Sequence, residues 1–136
     1  MQDCIFCKIV EGKIPSAKVY EDSKTMAFLD IMPANKGHCL VVPKYHSQNL
    51  VDINEDDLIA LMKTAKKVAK AMSLSFGNAS FNIVMNNGKE AGQVVFHAHI
   101  HLIPRFQKDR LRIKWSHLKY EGDEMKDYTE KIRKFI

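Results

Sequence analysis

Val94-Val95-Phe96-His97-Ala98-His99-Ile100-His101-Leu102-Ile103 is the stretch on which the fold turns. Side chains alternate between the faces of a strand. A strand over 94–103 therefore puts His97, His99 and His101 on one side and Phe96, Ala98, Ile100 and Leu102 on the other. The apolar row is then core, and the histidine row borders a site. Three polar rings on one face each need partners when buried, which packing alone does not explain.

Working outward, Asn86-Asn87-Gly88 is a turn signal, and Phe81 to Met85 reads as a second strand before it. Asn54 is a good N-cap for a helix, with Glu55, Asp56 and Asp57 in its first turn, where the macrodipole favours acids. Leu58, Leu61, Met62, Ala65, Val68, Ala69 and Met72 recur at helical spacing, Lys63, Lys66, Lys67 and Lys70 take the solvated side, and Gly77 follows the end. Further upstream, Ala17 to Tyr20 and Thr25 to Asp30 form a hairpin pattern around a polar turn, and His38 to Val42 reads as a buried strand closed by Pro43. Tyr120 to Ile136 reads as a weaker terminal helix. The class is α+β: a mainly antiparallel sheet of about five strands, one long helix and a shorter C-terminal one.

The 136 residues suit one domain with an ordinary core. No apolar run reaches the roughly 18 residues of a membrane span, and the first residues lack the basic n-region of a signal peptide, so the expectation is a cytoplasmic protein without a membrane partner. The net charge of +5 is concentrated: residues 1–104 hold 11 Lys/Arg against 10 Asp/Glu, and residues 105–136 hold 10 against 6. That distribution suits an anionic small substrate, and no signature of a groove-reading module argues for nucleic acid. The expected organisation is a domain over 1–105 with a basic extension over 106–136 packed on it.

Two chemistries can use the histidine row. A catalytic ion could take His-x-His, but strand residues four apart are separated by about 13 Å, so at most two of the three can share one ion. Alternatively the central ring is a nucleophile, with one nitrogen held by a hydrogen bond and a neighbour at the leaving group. Cys4-x-x-Cys7 is half a zinc site, or two small residues beside an apolar turn. Asp30 at a strand end and Asn86 before Asn87-Gly88 can be turn formers or ligand contacts. Cys39 reads as buried and inert, and His117 as solvent-facing.

The run Gly92-Gln93-Val94-Val95-Phe96-His97-Ala98-His99-Ile100-His101-Leu102-Ile103-Pro104-Arg105 resembles the signature of the histidine triad (HIT) family of nucleotide hydrolases and transferases. The likeness extends over Ile5-Phe6-Cys7-Lys8-Ile9 with Gly12-Lys13-Ile14-Pro15, Ala27-Phe28-Leu29-Asp30-Ile31 with Pro33, and Gly37-His38-Cys39-Leu40-Val41-Val42-Pro43-Lys44. It implies a homodimer whose sheets pair, and attack by His99 on the α-phosphorus of a purine nucleotidyl substrate. His101 would lie on the phosphate side, the His97 carbonyl would hold the His99 ring, and His38 would support the triad. Asp30 would bind the ribose, and Ile5, Phe6, Ile9, Ile14, Phe28, Ile31 and Leu40 would line the base pocket. Asn86, Gly92 and Gln93 would meet phosphate. Val94 departs from the part of the family that carries a hydroxyl there. The zinc-bearing subset implies Cys4, Cys7, His46 and His97 as a structural Zn²⁺ set, one ion per chain.

The leading expectation is a hydrolase of phosphoramidates or dinucleoside polyphosphates that works through a nucleotidyl-histidine intermediate and releases a nucleoside monophosphate. The alternatives are a non-catalytic nucleotide- or partner-binding module on the same fold, and a zinc-dependent hydrolase using His-x-His.

Overall fold

The computed structural model describes residues 3–78 and 80–136. The elements run α1 (Ile5–Val10), β1 (Lys18–Glu21), β2 (Thr25–Leu29), β3 (Cys39–Pro43), α2 (Glu55–Phe76), β4 (Phe81–Val84), a 3-10 turn (Lys89–Ala91), β5 (Ile100–Pro104) and α3 (Glu124–Arg133). The strands make one antiparallel sheet in the order β1-β2-β3-β5-β4.

The β1–β2 turn closes on Asp22, whose Oδ1 accepts from the N–H groups of Lys24 and Thr25 at 2.9 and 2.7 Å. Such side-chain acceptance is what Asp offers a tight turn. Asn54 caps α2 by accepting from the Asp57 N–H at 2.9 Å, and Gly77 ends it in the left-handed conformation at φ 61°.

Each sheet face is covered. On one, Leu61, Ala65, Val68, Ala69 and Met72 of α2 pack on Ala27, Val41, Ile100 and Leu102. On the other, Phe6 and Ile9 of α1 pack on Met26, Phe28, Leu40 and Val42. Double coverage is why β2 and β3 read as continuous apolar runs and not as alternation.

The expected strand over 94–103 is shorter at its N-terminal end: pairing begins only at Ile100, where β5 meets Val41 of β3, and ends at Pro104 beside Phe81. Residues 94–99 approach it as irregular chain. Ala98, Ile100 and Leu102 lie in the core as expected, but Phe96 is 48% exposed. Two helical positions also differ. Met62 turns outward, and Thr64 is buried in its place, its hydroxyl 2.7 Å from that of Thr25. α1 and the 3-10 turn were not expected. Six residues are too few for an independent helix, so α1 exists through the burial of Phe6 and Ile9.

Beyond β5, Arg105 grips Asp109 through Nε and Nη2 at 2.8 and 2.9 Å and also donates to Asn82 and to the Leu111 carbonyl. After Leu111 the chain is exposed, and α3 buries none of its residues. Among the described residues no helix is long and apolar enough to cross a membrane.

Candidate active site and metal centre

The irregular approach to β5 places each histidine by a different contact. His97 is fully buried, and its Nε2 donates to the Pro43 carbonyl at 2.8 Å. A carbonyl only accepts, so Nδ1 of the neutral ring keeps its lone pair. The main-chain carbonyl of His97 in turn accepts from His99 Nδ1 at 2.6 Å, which leaves His99 Nε2 as the bare nitrogen. One residue thus serves two sites, one with its ring and the other with its backbone.

His99 lies with its centroid 4.9 Å from that of His101, and Phe6 of α1 packs edge-on to His99 at 5.1 Å. His101 Nδ1 is 2.9 Å from His38 Nε2, and His38 Nδ1 accepts from the Ala34 N–H at 3.1 Å. Gly37, just before His38, has φ 94°, and a Cβ there would come within 2.5 Å of the Phe76 ring. Only glycine fits that approach.

Burial holds all of these rings below the ordinary histidine value. For His38 and His99 it is the leading cause, opposed by the Asp30 carboxylate and, at His99, first by the His97 carbonyl. His101 is driven to about 4 by burial, then by the neighbouring His99 and His38. The rings are accordingly neutral at pH 7, the form in which an imidazole is a nucleophile.

A cavity of about 380 Å³ opens beside them. Of the residues expected at a nucleotide site, Ile5, Phe6, Ile9, Ile14, Phe28, Asp30, Ile31, Leu40, Asn86, Gly92, His99 and His101 line it. Its apolar wall and polar end are the usual division of a small-molecule site. Asp30 does both things its position allowed: Oδ1 accepts from the Met32 N–H at 2.8 Å as a turn former, while Oδ2 lies 3.8 Å from His38 Nε2. Gln93 is placed differently. Its side chain is buried among the Gly88 N–H and the carbonyls of Gln48 and Val95, and it does not reach the cavity. Pro15, Ser16, Leu29, Met32, Val94 and Val95 also line it. Val94 stands out in the sequence only as a departure from the hydroxyl-bearing part of the family; the signal of the other five is adjacency to expected residues.

The second cluster is Cys4, Cys7, His46 and His97, whose donor atoms all lie within 4.8 Å of one another. His46 Nδ1 and His97 Nδ1 are 3.3 Å apart. Cys4 Sγ is 3.4 Å from His97 Nδ1, and Cys7 Sγ is 3.3 and 3.6 Å from the His46 and His97 nitrogens. Around tetrahedral zinc, with bonds of about 2.0–2.1 Å to nitrogen and 2.3 Å to sulfur, those edges come to about 3.3 and 3.6 Å. Burial, and then the Cys4 thiol beside it, push the Cys7 thiol up to about 11, an effect that a dication among the four donors reverses. The Pro43 carbonyl behind His97 is the outer partner such a ligand carries. The residues fit a closed Cys2His2 ion, with no open position for water.

A match to the HIT domain family covers residues 11–108. The chain belongs to the HIT domain family. This HIT protein is 48% identical over 113 residues to an adenosine 5′-monophosphoramidase of Saccharomyces cerevisiae, covering 82% of this chain and 69% of that one. A crystal structure of a protein from Streptococcus mutans superposes with a TM-score of 0.93 at 43% identity, over 98% of this chain and 85% of the other. A zinc-bound HIT protein from Mycobacterium smegmatis superposes at 0.78 with 35% identity, over 85% and 84%.

Proposed function

We propose that this HIT protein hydrolyses nucleotidyl substrates at the α-phosphorus, with His99 as nucleophile. The observation that carries the reading is the 2.6 Å hydrogen bond from His99 Nδ1 to the His97 carbonyl, which leaves a neutral Nε2 lone pair beside a cavity of nucleotide size. The yeast relative's phosphoramidase activity supports it. In the first step the Nε2 lone pair forms a bond to the α-phosphorus, and the bond to the leaving group breaks with its electron pair. Water then attacks the nucleotidyl-histidine, returning His99 and releasing a nucleoside monophosphate. A purine lies between Ile5, Phe6, Ile14, Phe28, Ile31 and Leu40, Asp30 Oδ2 takes the ribose hydroxyls, and Asn86 and Gly92 meet phosphate.

Cys4, Cys7, His46 and His97 hold one structural zinc, which cross-links α1 to the loop after β3 and the approach to β5. Two copies associate through the edge strand β4, whose partly exposed Phe81 and Ile83 share a surface depression with Met62 of α2. An unpaired apolar edge next to an apolar helix flank is the surface that a symmetric dimer covers, extending the sheet. Residues 1–105 form the catalytic unit and 106–136 a basic extension acting on the leaving group. Three free thiols suit a reducing, cytoplasmic compartment.

A panel of adenosine phosphoramidate, diadenosine tri- and tetraphosphate and their guanosine counterparts tests the reading. Release of nucleoside monophosphate from at least one, abolished in His99→Asn, is expected. Binding of all without turnover of any would favour a non-catalytic module.

A further inference from the structure

Main-chain groups fix where the hydrogens sit in the histidine cluster. The Ala34 N–H can only donate, so His38 Nδ1 holds a lone pair and, in the neutral ring, its hydrogen is on Nε2. The Asp30 carboxylate, 3.8 Å from Nε2, favours the hydrogen on that side as well. His38 Nε2 therefore donates to His101 Nδ1 across 2.9 Å, and His101 carries its own hydrogen on Nε2, the nitrogen turned away from His38. His99 ends in the opposite state, with its hydrogen on Nδ1 toward the His97 carbonyl. The two rings lining the cavity present complementary atoms, a lone pair on His99 and an N–H on His101.

We propose that the main-chain amide of Ala34 is a positioning group for this site: through His38 it fixes His101 as a hydrogen-bond donor at Nε2, aimed at the phosphate that His99 attacks. The catalytic consequence rests on the hydrolase reading above; the tautomers do not. His101 lends its hydrogen and does not give it up. Releasing it would leave an imidazolate unless His38 resupplied the proton, and His38 cannot be resupplied through a nitrogen that faces an amide N–H. The bond from His99 Nε2 to phosphorus forms, the leaving-group bond breaks, and the leaving group takes its proton from water. The same hydrogen on His38 Nε2 argues against a cation among Asp30, His38 and His101, whose donor atoms lie within 4.8 Å, since His38 then has no free lone pair there.

Two measurements test this. Long-range ¹H–¹⁵N spectra of the ligand-free protein read ring tautomers without any turnover. They should show Nε2–H for His38 and His101 and Nδ1–H for His99; His38 with its hydrogen on Nδ1 overturns the proposal even if the protein is a hydrolase. Replacing the Ala34 residue by L-lactate turns that amide into an ester, which puts an oxygen that cannot donate in place of the N–H and leaves every side chain unchanged. One neutral hydrogen bond corresponds to roughly three- to tenfold in the tautomer ratio, so His38 should shift by that factor while His99 does not. For adenosine phosphoramidate, kcat should fall in proportion to the fraction of His38 that keeps its hydrogen on Nε2, with KM little changed, and Ala34→Gly, which keeps the N–H, should behave as the parent. An ester protein with unaltered His38 tautomer and unaltered kcat overturns the proposal. Nε2–H tautomers that shift in the ester of a protein inactive on every substrate uphold the positioning and overturn the hydrolase reading instead.

Discussion

Cys7→Ser removes one corner of the Cys2His2 set and with it the link between α1 and His46, 39 residues away. Treating that link as a cross-link in the unfolded chain, closing a loop of this length is worth up to about 4 kcal/mol. For a chain of 136 residues, at about 2.1 cal/mol/K per residue, this corresponds to a melting point lowered by up to about 14 °C. Turnover should fall less steeply. The His97 carbonyl that orients His99 is also held by its own main chain, since the Ala98 N–H donates to the Ser47 carbonyl at 2.7 Å. Calorimetry of the zinc-loaded parent, the parent with chelator and Cys7→Ser, with elemental analysis of each, is the assay. Chelator should lower the parent's melting point and leave the variant's unchanged. A parent that carries stoichiometric zinc yet melts within about 2 °C of Cys7→Ser refutes the cross-link argument, and a parent that never takes zinc refutes the site.

Acid should cost stability before it costs the nucleophile. The folded-state values of His38, His99 and His101 lie below 6.5, so their contribution is complete above 6.5 and is lost as pH falls from there toward about 4, the His101 value. Denaturant midpoints should therefore drop over that window, while initial rates on intact protein should halve only at a pH below 6.5; a rate that halves near 6.5 or above contradicts neutral buried rings. Gly37→Ala combines a left-handed backbone with a Cβ 2.5 Å from Phe76 and should destabilise by about 1–3 kcal/mol, read as a lower denaturant midpoint; an unchanged midpoint contradicts it. Reversing the charges of Arg110 and Arg112 should weaken diadenosine polyphosphate hydrolysis more than phosphoramidate hydrolysis in kcat/KM, and equal effects would remove the extension from substrate contact.

Where local chemistry and tertiary packing agree, the fold is legible. The Asn54 cap, the α2 spacing and Gly77 bound one helix within a residue, because capping groups and glycine act on their own turn. β1 to β4 follow from short β-prone runs between polar turns. The approach to β5 failed because alternation describes side-chain direction, while pairing depends on a neighbouring strand. At 94–99 the chain instead delivers His97 to Cys4, Cys7 and His46 and its carbonyl to His99. α1 was hidden for a related reason, since six residues carry too little periodicity, and its N-cap is Cys4, whose sulfur accepts from the Cys7 N–H, rather than a usual capping residue. Thr64 took a core position from Met62 because a hydroxyl partner, Thr25, waited across the sheet, a pairing no helical spacing reveals. In the site, the types and order of the histidines were readable. The hold of the His97 carbonyl on His99 followed from the family resemblance, but the tautomers of His38, His97 and His101 did not, because they depend on the Ala34 amide and the Pro43 carbonyl, groups that every residue possesses.

Rapid quench with substrate labelled at the α-phosphorus tests the central claim most directly. Attack by the neutral His99 Nε2 predicts acid-labile, base-stable label on the protein within the first turnover, approaching one per protomer when the second step is the slower, and located on the peptide that contains His99. His99→Asn should carry none and turn over nothing, while nucleotide affinity stays within a few-fold, since base and ribose contacts come from other residues. Steady turnover by His99→Asn, or turnover by the parent with no label on His99 at any quench time, would contradict the account.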